Sequence, residues 1–181
     1  RWNCDWSSDV CSSDLFLGDD KAGTGGVRII NADQTVSNNY FERLAGSSNR
    51  SALAVMDAQA SPPLSGYAPV VNATISRNTF VDVAKISFGV GHDTAKGIDV
   101  AASNSRFSAN LIVNRTSKNP PNAASSLAGI AFSGNVQSPQ ASTVFPSGVE
   151  SRSVTLQQAA SGLWTPTPAL PATGADPALA M

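Results

Sequence analysis

"VSNNYF" (36–41) decides the fold, because its pattern returns three times along the chain. "ISRNTF" (75–80), "FSANLI" (107–112) and "FSGNVQ" (132–137) each repeat an apolar residue first, serine second and asparagine fourth. The aligned asparagines, Asn39, Asn78, Asn110 and Asn135, stand 39, 32 and 25 residues apart. A leucine-rich or similar solenoid keeps a fixed period. Spacings this unequal suit a parallel β-helix, whose turns take insertions of any length. Asparagine hydrogen-bonds local backbone and tolerates left-handed geometry, which suits a turn. Stacked coils would place the four asparagines in a ladder that satisfies turn amides.

Strand-like runs lie beside the hexamers: "GVRII" (26–30), "SALAVM" (51–56), "KISFGV" (85–90) and "LAGIAF" (127–132). In the first, Val27 and Ile29 alternate with Arg28, so the apolar pair faces the coil interior and Arg28 faces out. "NADQ" then supplies a turn before "TVSNNYF". An antiparallel β-sandwich also uses short strands and polar turns. The repeated asparagine register favours an all-β, right-handed parallel β-helix. A single coil cannot bury its own apolar face, so stability comes from stacked neighbours. The insertions 57–70 and 91–105 should project from one side, as loops flanking a groove.

Composition agrees. The chain has 181 residues, enough for one domain with a sizeable core. Its net charge is −1 with 14% charged residues, so nothing points to nucleic acid as a partner. No apolar run approaches membrane-span length. With 14 glycines and 11 prolines it reads as short strands and many turns.

The first residues, "RWNCDWSSDVCSSDLF", differ in character: they hold both cysteines and two of the three tryptophans. A secretory signal would need an apolar stretch that is missing here. A Cys4–Cys11 disulfide cap is a second reading. The third is that residues 5–15 can be written in codons that resemble one strand of a short-read sequencing adapter. On that reading the chain divides into an extraneous 1–15, β-helix coils over 16–164, and an irregular Pro/Ala-rich tail over 165–181. A coil starting at Phe16 would leave a raw, unpaired strand edge.

"GTGGVRIINADQTVSNNYFERLAGSSNRSALAVM" (23–56) resembles polysaccharide lyase family 6, the alginate lyase and chondroitinase B family. "GGVRI" is similar to the family's "GGIR" strand, and "SNNYFERLAG" to its "NNYFEGLTG". "VNATISRNTFVDV", "ISFGVG", "SRFSANLI" and "GIAFSGN" continue the resemblance, which runs from about Phe16 to Gly174. It implies a secreted or periplasmic lyase that cleaves an anionic, uronic-acid-containing polysaccharide by β-elimination, with alginate preferred over chondroitin or dermatan. In that chemistry calcium neutralises the uronate carboxylate, a lysine takes the adjacent proton and an arginine of an "LRHG"-like strand protonates the leaving oxygen. Those residues belong upstream of the "GGIR" strand. No catalytic residue and no calcium ligand is therefore expected in this chain. Its lysines, Lys21, Lys85, Lys96 and Lys118, stand in other motifs, and Glu42 matches a scaffold position. The chain is expected to be the C-terminal part of a lyase, truncated on its N-terminal side and inactive alone. The alternative is a non-catalytic β-helix, a glycan-binding or surface-adhesion module.

Two residues are candidates for substrate binding. Arg28 matches the "GGIR" arginine, and its guanidinium suits a carboxylate held by two hydrogen bonds. Arg50, in "SSNRSALAV", matches a position where the family often carries a basic residue near the groove. The bland reading of either is an ordinary surface arginine. His92, the only histidine, reads as a solvated loop residue more than as a sugar contact, and Trp164 as packing. "HDTAKG" departs from the Glu-Arg pair that the family often shows after "GxG". "LPATG" (170–174) matches a cell-wall sorting pentapeptide but resembles more the endings of β-helix enzymes. Asn49, Asn72 and Asn114 stand in glycosylation sequons.

Overall fold

The computed structural model describes residues 10–64, 66–115, 120–138, 144–145, 147–170 and 173–175. The chain winds through three parallel sheets in turn. The first coil holds β1 (Val10–Ser12), β2 (Leu15–Leu17) and β3 (Val27–Ile29). The second holds β4 (Thr35–Ser37), β5 (Tyr40–Glu42) and β6 (Leu53–Met56). The third holds β7 (Thr74–Ser76), β8 (Thr79–Val81) and β9 (Ile86–Val90), and the fourth β10 (Ser105–Ser108), β11 (Leu111–Val113) and β12 (Pro121–Ala123). After them come β13 (Ile130–Ser133), β14 (Asn135–Ser138) and β15 (Val149–Ser151). Strands β1, β4, β7, β10 and β13 form the first sheet; β2, β5, β8, β11, β14 and β15 the second; β3, β6, β9 and β12 the third. Every pair within these sheets is parallel and stacks one coil on the next. This is the expected right-handed parallel β-helix, and the parallel register excludes the sandwich.

Each hexamer is a corner between the first two sheets. Its first two residues end a first-sheet strand and its last residues enter a second-sheet strand. The left-handed residue is the third, not the asparagine: φ is 59° at Asn38, 56° at Arg77, 53° at Ala109 and 60° at Gly134. That one residue turns the chain, which leaves the fourth side chain aimed along the stack. Asn39 N and Nδ2 both donate to Asn78 Oδ1 at 3.0 Å. Asn78 repeats this onto Asn110 at 2.9 and 3.0 Å, and Asn110 onto Asn135 at the same two distances. Each Nδ2 also donates to a carbonyl of the coil above: Asn78 to Val36, Asn110 to Ile75 and Asn135 to Phe107. All four asparagines are buried. The ladder therefore satisfies the corner amides as the repeat implied.

The interior is filled by columns of like residues. Phe16, Phe41 and Phe80 stack with ring centroids 4.6 Å apart at each step. Phe107, Phe132 and Phe145 form a second column, with Phe88 edge-on to it. Offset and edge contacts of this kind add about 0.5–1.5 kcal/mol each beyond area burial.

Three elements carry structure that the sequence reading did not assign. Residues 10–15, set apart by the codon reading, occupy a rung: Cys11 is buried beside Val36, Ser13 is left-handed with φ 61°, and Asp14 N donates to Asn39 Oδ1 at 2.9 Å. "CSSDLF" (11–16) carries the hexamer register with aspartate in the asparagine place. Cys11 is disulfide-bonded, while Cys4, the other half of the suggested cap, lies outside the described residues. "LAGIAF" holds the first-sheet strand β13, and the third-sheet strand of the coil before it is β12, "PNA", a proline-containing strand at the sheet edge with no apolar alternation. At the C-terminal end β16 (Thr155–Gln158) and β17 (Trp164–Thr167) form an antiparallel hairpin, so 165–167 are strand. Beyond it, Gly174 N donates to Ala109 O and Ala175 N to Thr79 Oγ1, both at 2.8 Å.

Candidate functional site

The outer face of the third sheet carries the sequence candidates. In β3 the burial alternates as expected: Val27 and Ile29 are inside and Arg28 is exposed. Arg28 Nη1 donates to the Tyr67 hydroxyl at 2.9 Å, and Nη2 donates to Asn49 O at 3.2 Å. Among the described residues no carboxylate pairs with it. Two of its five N–H donors are thus used to fix the fork, and no described carboxylate neutralises its charge.

Asn49 belongs to the 3₁₀ turn Ser48–Arg50, so the bond to its carbonyl sets Arg28 beside Arg50. The structure brings both candidates to one end of the sheet. Arg50 is exposed, and its Nη1 would lie 3.3 Å from a β-carbon on Gly23. Its carbonyl rests against the "GTGG" turn so closely that a β-carbon on Gly25 would stand 2.6 Å from it. The glycines of that stretch are there to let the 3₁₀ turn close down on β3.

The insertion 57–70 folds back over this face instead of standing clear of it. Tyr67 packs with Ile30 against buried Ala54, Met56 and Val90. Both expected loops leave from the same corner, after β6 and β9, and they are tied together: Ala58 and Val100 exchange backbone bonds of 3.1 and 3.0 Å, and Gln59 Nε2 donates to Lys96 O at 2.9 Å.

Beyond Met56 lies a cluster that sequence reasoning missed. Asp57 is buried, yet its carboxylate is fully engaged. Its Oδ2 is 2.8 Å from His92 Nδ1, and its Oδ1 accepts from Ser125 Oγ at 3.0 Å. His92 is therefore not a freely solvated loop residue. The spacing of 35 residues between Asp57 and His92 was the available signal, since it lies within the range of coil-to-coil spacings.

Lys21 pairs with Asp19 and Lys96 with Asp93, each at 2.8 Å on exposed surface; these partners hold both carboxyls below, and both ammoniums above, their ordinary values. Lys118 lies outside the described residues. Glu42 is buried against the Tyr40 hydroxyl, 2.9 Å away, and 3.6 Å from Arg43 Nε, as its scaffold position implies. Burial pushes the Tyr40 hydroxyl well above the usual phenol range. Trp164 packs: Arg115 lies 4.0 Å over its ring, and its backbone N–H donates to Tyr40. Asn114 is buried, which leaves it unfit as a glycan acceptor, and "LPATG" falls partly outside the described residues.

Among the described residues no three His, Cys, Asp or Glu side chains cluster to hold a metal. Both oxygens of Asp57 are already committed, and Glu42 faces a phenol and a guanidinium. Among the described residues no helix is long and apolar enough to cross a membrane.

The chain matches known proteins over nearly its whole length. The chondroitinase B family model matches residues 7–173. Among solved structures, the alginate lyase AlyGC of polysaccharide lyase family 6 superposes with a TM-score of 0.86 at 34% identity, covering 94% of this chain and 23% of that one. A mutant form of the same lyase gives 0.88 at the same identity and coverage. A mannuronic acid-specific family 6 lyase from human gut microbiota gives 0.53 at 26% identity, covering 71% of this chain and 28% of that one. No curated protein matches. The chain spans about a quarter of the length of the lyases it matches first. On the family match and the shared fold, this chain belongs to the chondroitinase B family, polysaccharide lyase family 6.

Proposed function

We propose that this chain is a section of a uronan lyase that acts outside the cytoplasm, and that it supplies substrate-binding surface rather than the reaction centre. The observation that carries this reading is the outward Arg28, fixed by Tyr67 and Asn49 O and matched by no carboxylate among the described residues, on a chain 34% identical to an alginate lyase. A guanidinium held in this way offers a uronate carboxylate two parallel hydrogen bonds at little ordering cost. Arg50, set beside it, adds positive charge for a polyanion. Alginate is the preferred substrate of the whole lyase, and chondroitin or dermatan the alternative.

In β-elimination a base removes the proton at C5 of the uronate and the C4–O4 bond breaks. A C4–C5 double bond forms, and an acid protonates the departing oxygen. Among the described residues no carboxylate pairs with Arg28, and Lys21 and Lys96 are each held by an aspartate. The chain alone is therefore expected to bind uronan without cleaving it, and this favours glycan binding as its separate role. Incubation with alginate, followed by ultraviolet absorbance of unsaturated uronate, tests the claim. No rise is expected; a steady rise proportional to protein concentration would overturn it.

A further inference from the structure

We propose that His92 is a second sugar-contacting residue on this face, presenting Nε2 as an acceptor to a hydroxyl of an anionic glycan whose neighbouring unit lies on Arg28. This rests on the reading of Arg28 given above.

Three coils build the site. Asp57 follows β6, His92 follows β9 and Ser125 follows β12. The Asp57 side chain is 1% exposed and that of His92 32% exposed. A carboxylate accepts, so the short contact to His92 puts the proton on Nδ1 and leaves Nε2 as the outward nitrogen. Among the described residues nothing bonds Nε2. Burying a carboxylate is costly unless its lone pairs are satisfied. A solvated loop histidine needs no such support, and a tie between coils could use Asp57 and Ser125 alone.

The backbone is adapted to the cluster. Gly89 has φ 71° and interrupts the register of β9 against β6. A β-carbon there would stand 2.2 Å from Ser125 Oγ, so the position admits only glycine if Ser125 is to reach Asp57. Ser125 donates to Asp57 and not to His92, so the three do not form a nucleophilic triad.

Position ties the cluster to Arg28. Tyr67 holds Arg28 through its hydroxyl and packs on Met56 and Val90 through its ring. Asp57 directly follows Met56, and His92 is two residues after Val90. Arg28 and His92 thus bound one patch, with a tyrosine ring and an apolar floor between them. A linear uronan carries a carboxylate and hydroxyls on every unit, which suits polar groups spaced along such a patch.

Because His92 is the only histidine, its ring signals in a proton NMR spectrum have one source. Titration of the chain with alginate oligomers should shift those signals saturably. By calorimetry, His92→Ala should weaken binding about fivefold, the loss typical of one neutral hydrogen bond. If His92→Ala fails to fold, His92→Gln keeps a donor toward Asp57, and a weakening of several-fold is expected. Unmoved histidine signals during binding, or unchanged affinity in a folded His92 variant while Arg28→Ala weakens it, would overturn this inference and leave the Arg28 reading intact. Binding that is absent, or unaffected by Arg28→Ala, would overturn both.

Discussion

Asn110 shows what one ladder residue does. Its side chain donates to Ile75 O and Asn135 Oδ1 and accepts from both nitrogens of Asn78. Asn110→Ala would strand a buried amide and a carbonyl, so a loss of about 2–4 kcal/mol is expected in urea unfolding. Asp14 stands at the same rung position in the coil above Asn39. An asparagine there would donate Nδ2 to Asn39 Oδ1, as the lower rungs do, whereas a carboxylate has no proton to give. Burial already pushes the Asp14 carboxyl above its ordinary 3.8. The folded state therefore binds this proton more tightly than the unfolded state. Its contribution is fully present below about pH 3.8 and is lost as pH rises through the folded value. Asp14→Asn should stabilise the chain by about 1 kcal/mol at pH 7, with the gain fading below pH 4; thermal melts across that range check both sign and window. These roles were legible in part. The fourth-position asparagine announces the ladder, but the third-position left-handed turn was hidden, because Asn38, Arg77, Ala109 and Gly134 share no chemistry. Only backbone geometry unites them.

At the scale of elements, strands with a repeated apolar register were readable and those without one were not. "GVRII", "SALAVM" and "KISFGV" became β3, β6 and β9, since their alternate residues fill one column. "PNA" became β12 by pairing with β9 alone, and no local pattern marks it. The candidate site was legible to the same degree. Arg28 follows from period-two alternation in one strand, whereas Asp57, His92 and Ser125 meet only because three coils stack. The β16–β17 hairpin is the element most exposed to test. Leu156, Leu163 and Trp164 lie with Tyr40 and Val81 on the outer face of the second sheet, and Arg115 bridges Asp82 to the indole. Trp164→Ala removes that packing and the cation–π contact, so a loss of about 2 kcal/mol is expected. The β-helix coils should keep their far-ultraviolet circular dichroism; a collapse of the whole signal would show that the hairpin is needed for the coils to stack.

For the whole molecule, stacking makes each coil depend on its neighbours, so surface function and core stability separate along the strand. Inward columns of Phe, Ile and Val hold the fold, and outward positions of the same strands are left to chemistry. The binding proposed for Arg28 relies on that separation, in a chain that spans about a quarter of the length of the lyases it matches first. It also predicts that Arg28→Ala, which removes an exposed side chain, leaves the melting temperature within about 3 °C of the parent. The central claim is that the outer face of the third sheet binds uronan through Arg28. Calorimetric titration of alginate oligomers into the chain and into Arg28→Ala, at one fixed ionic strength, tests it most directly. Saturable binding that weakens about tenfold in the variant is the result the account predicts. Equal affinity in the two proteins, or no heat in either, would contradict it.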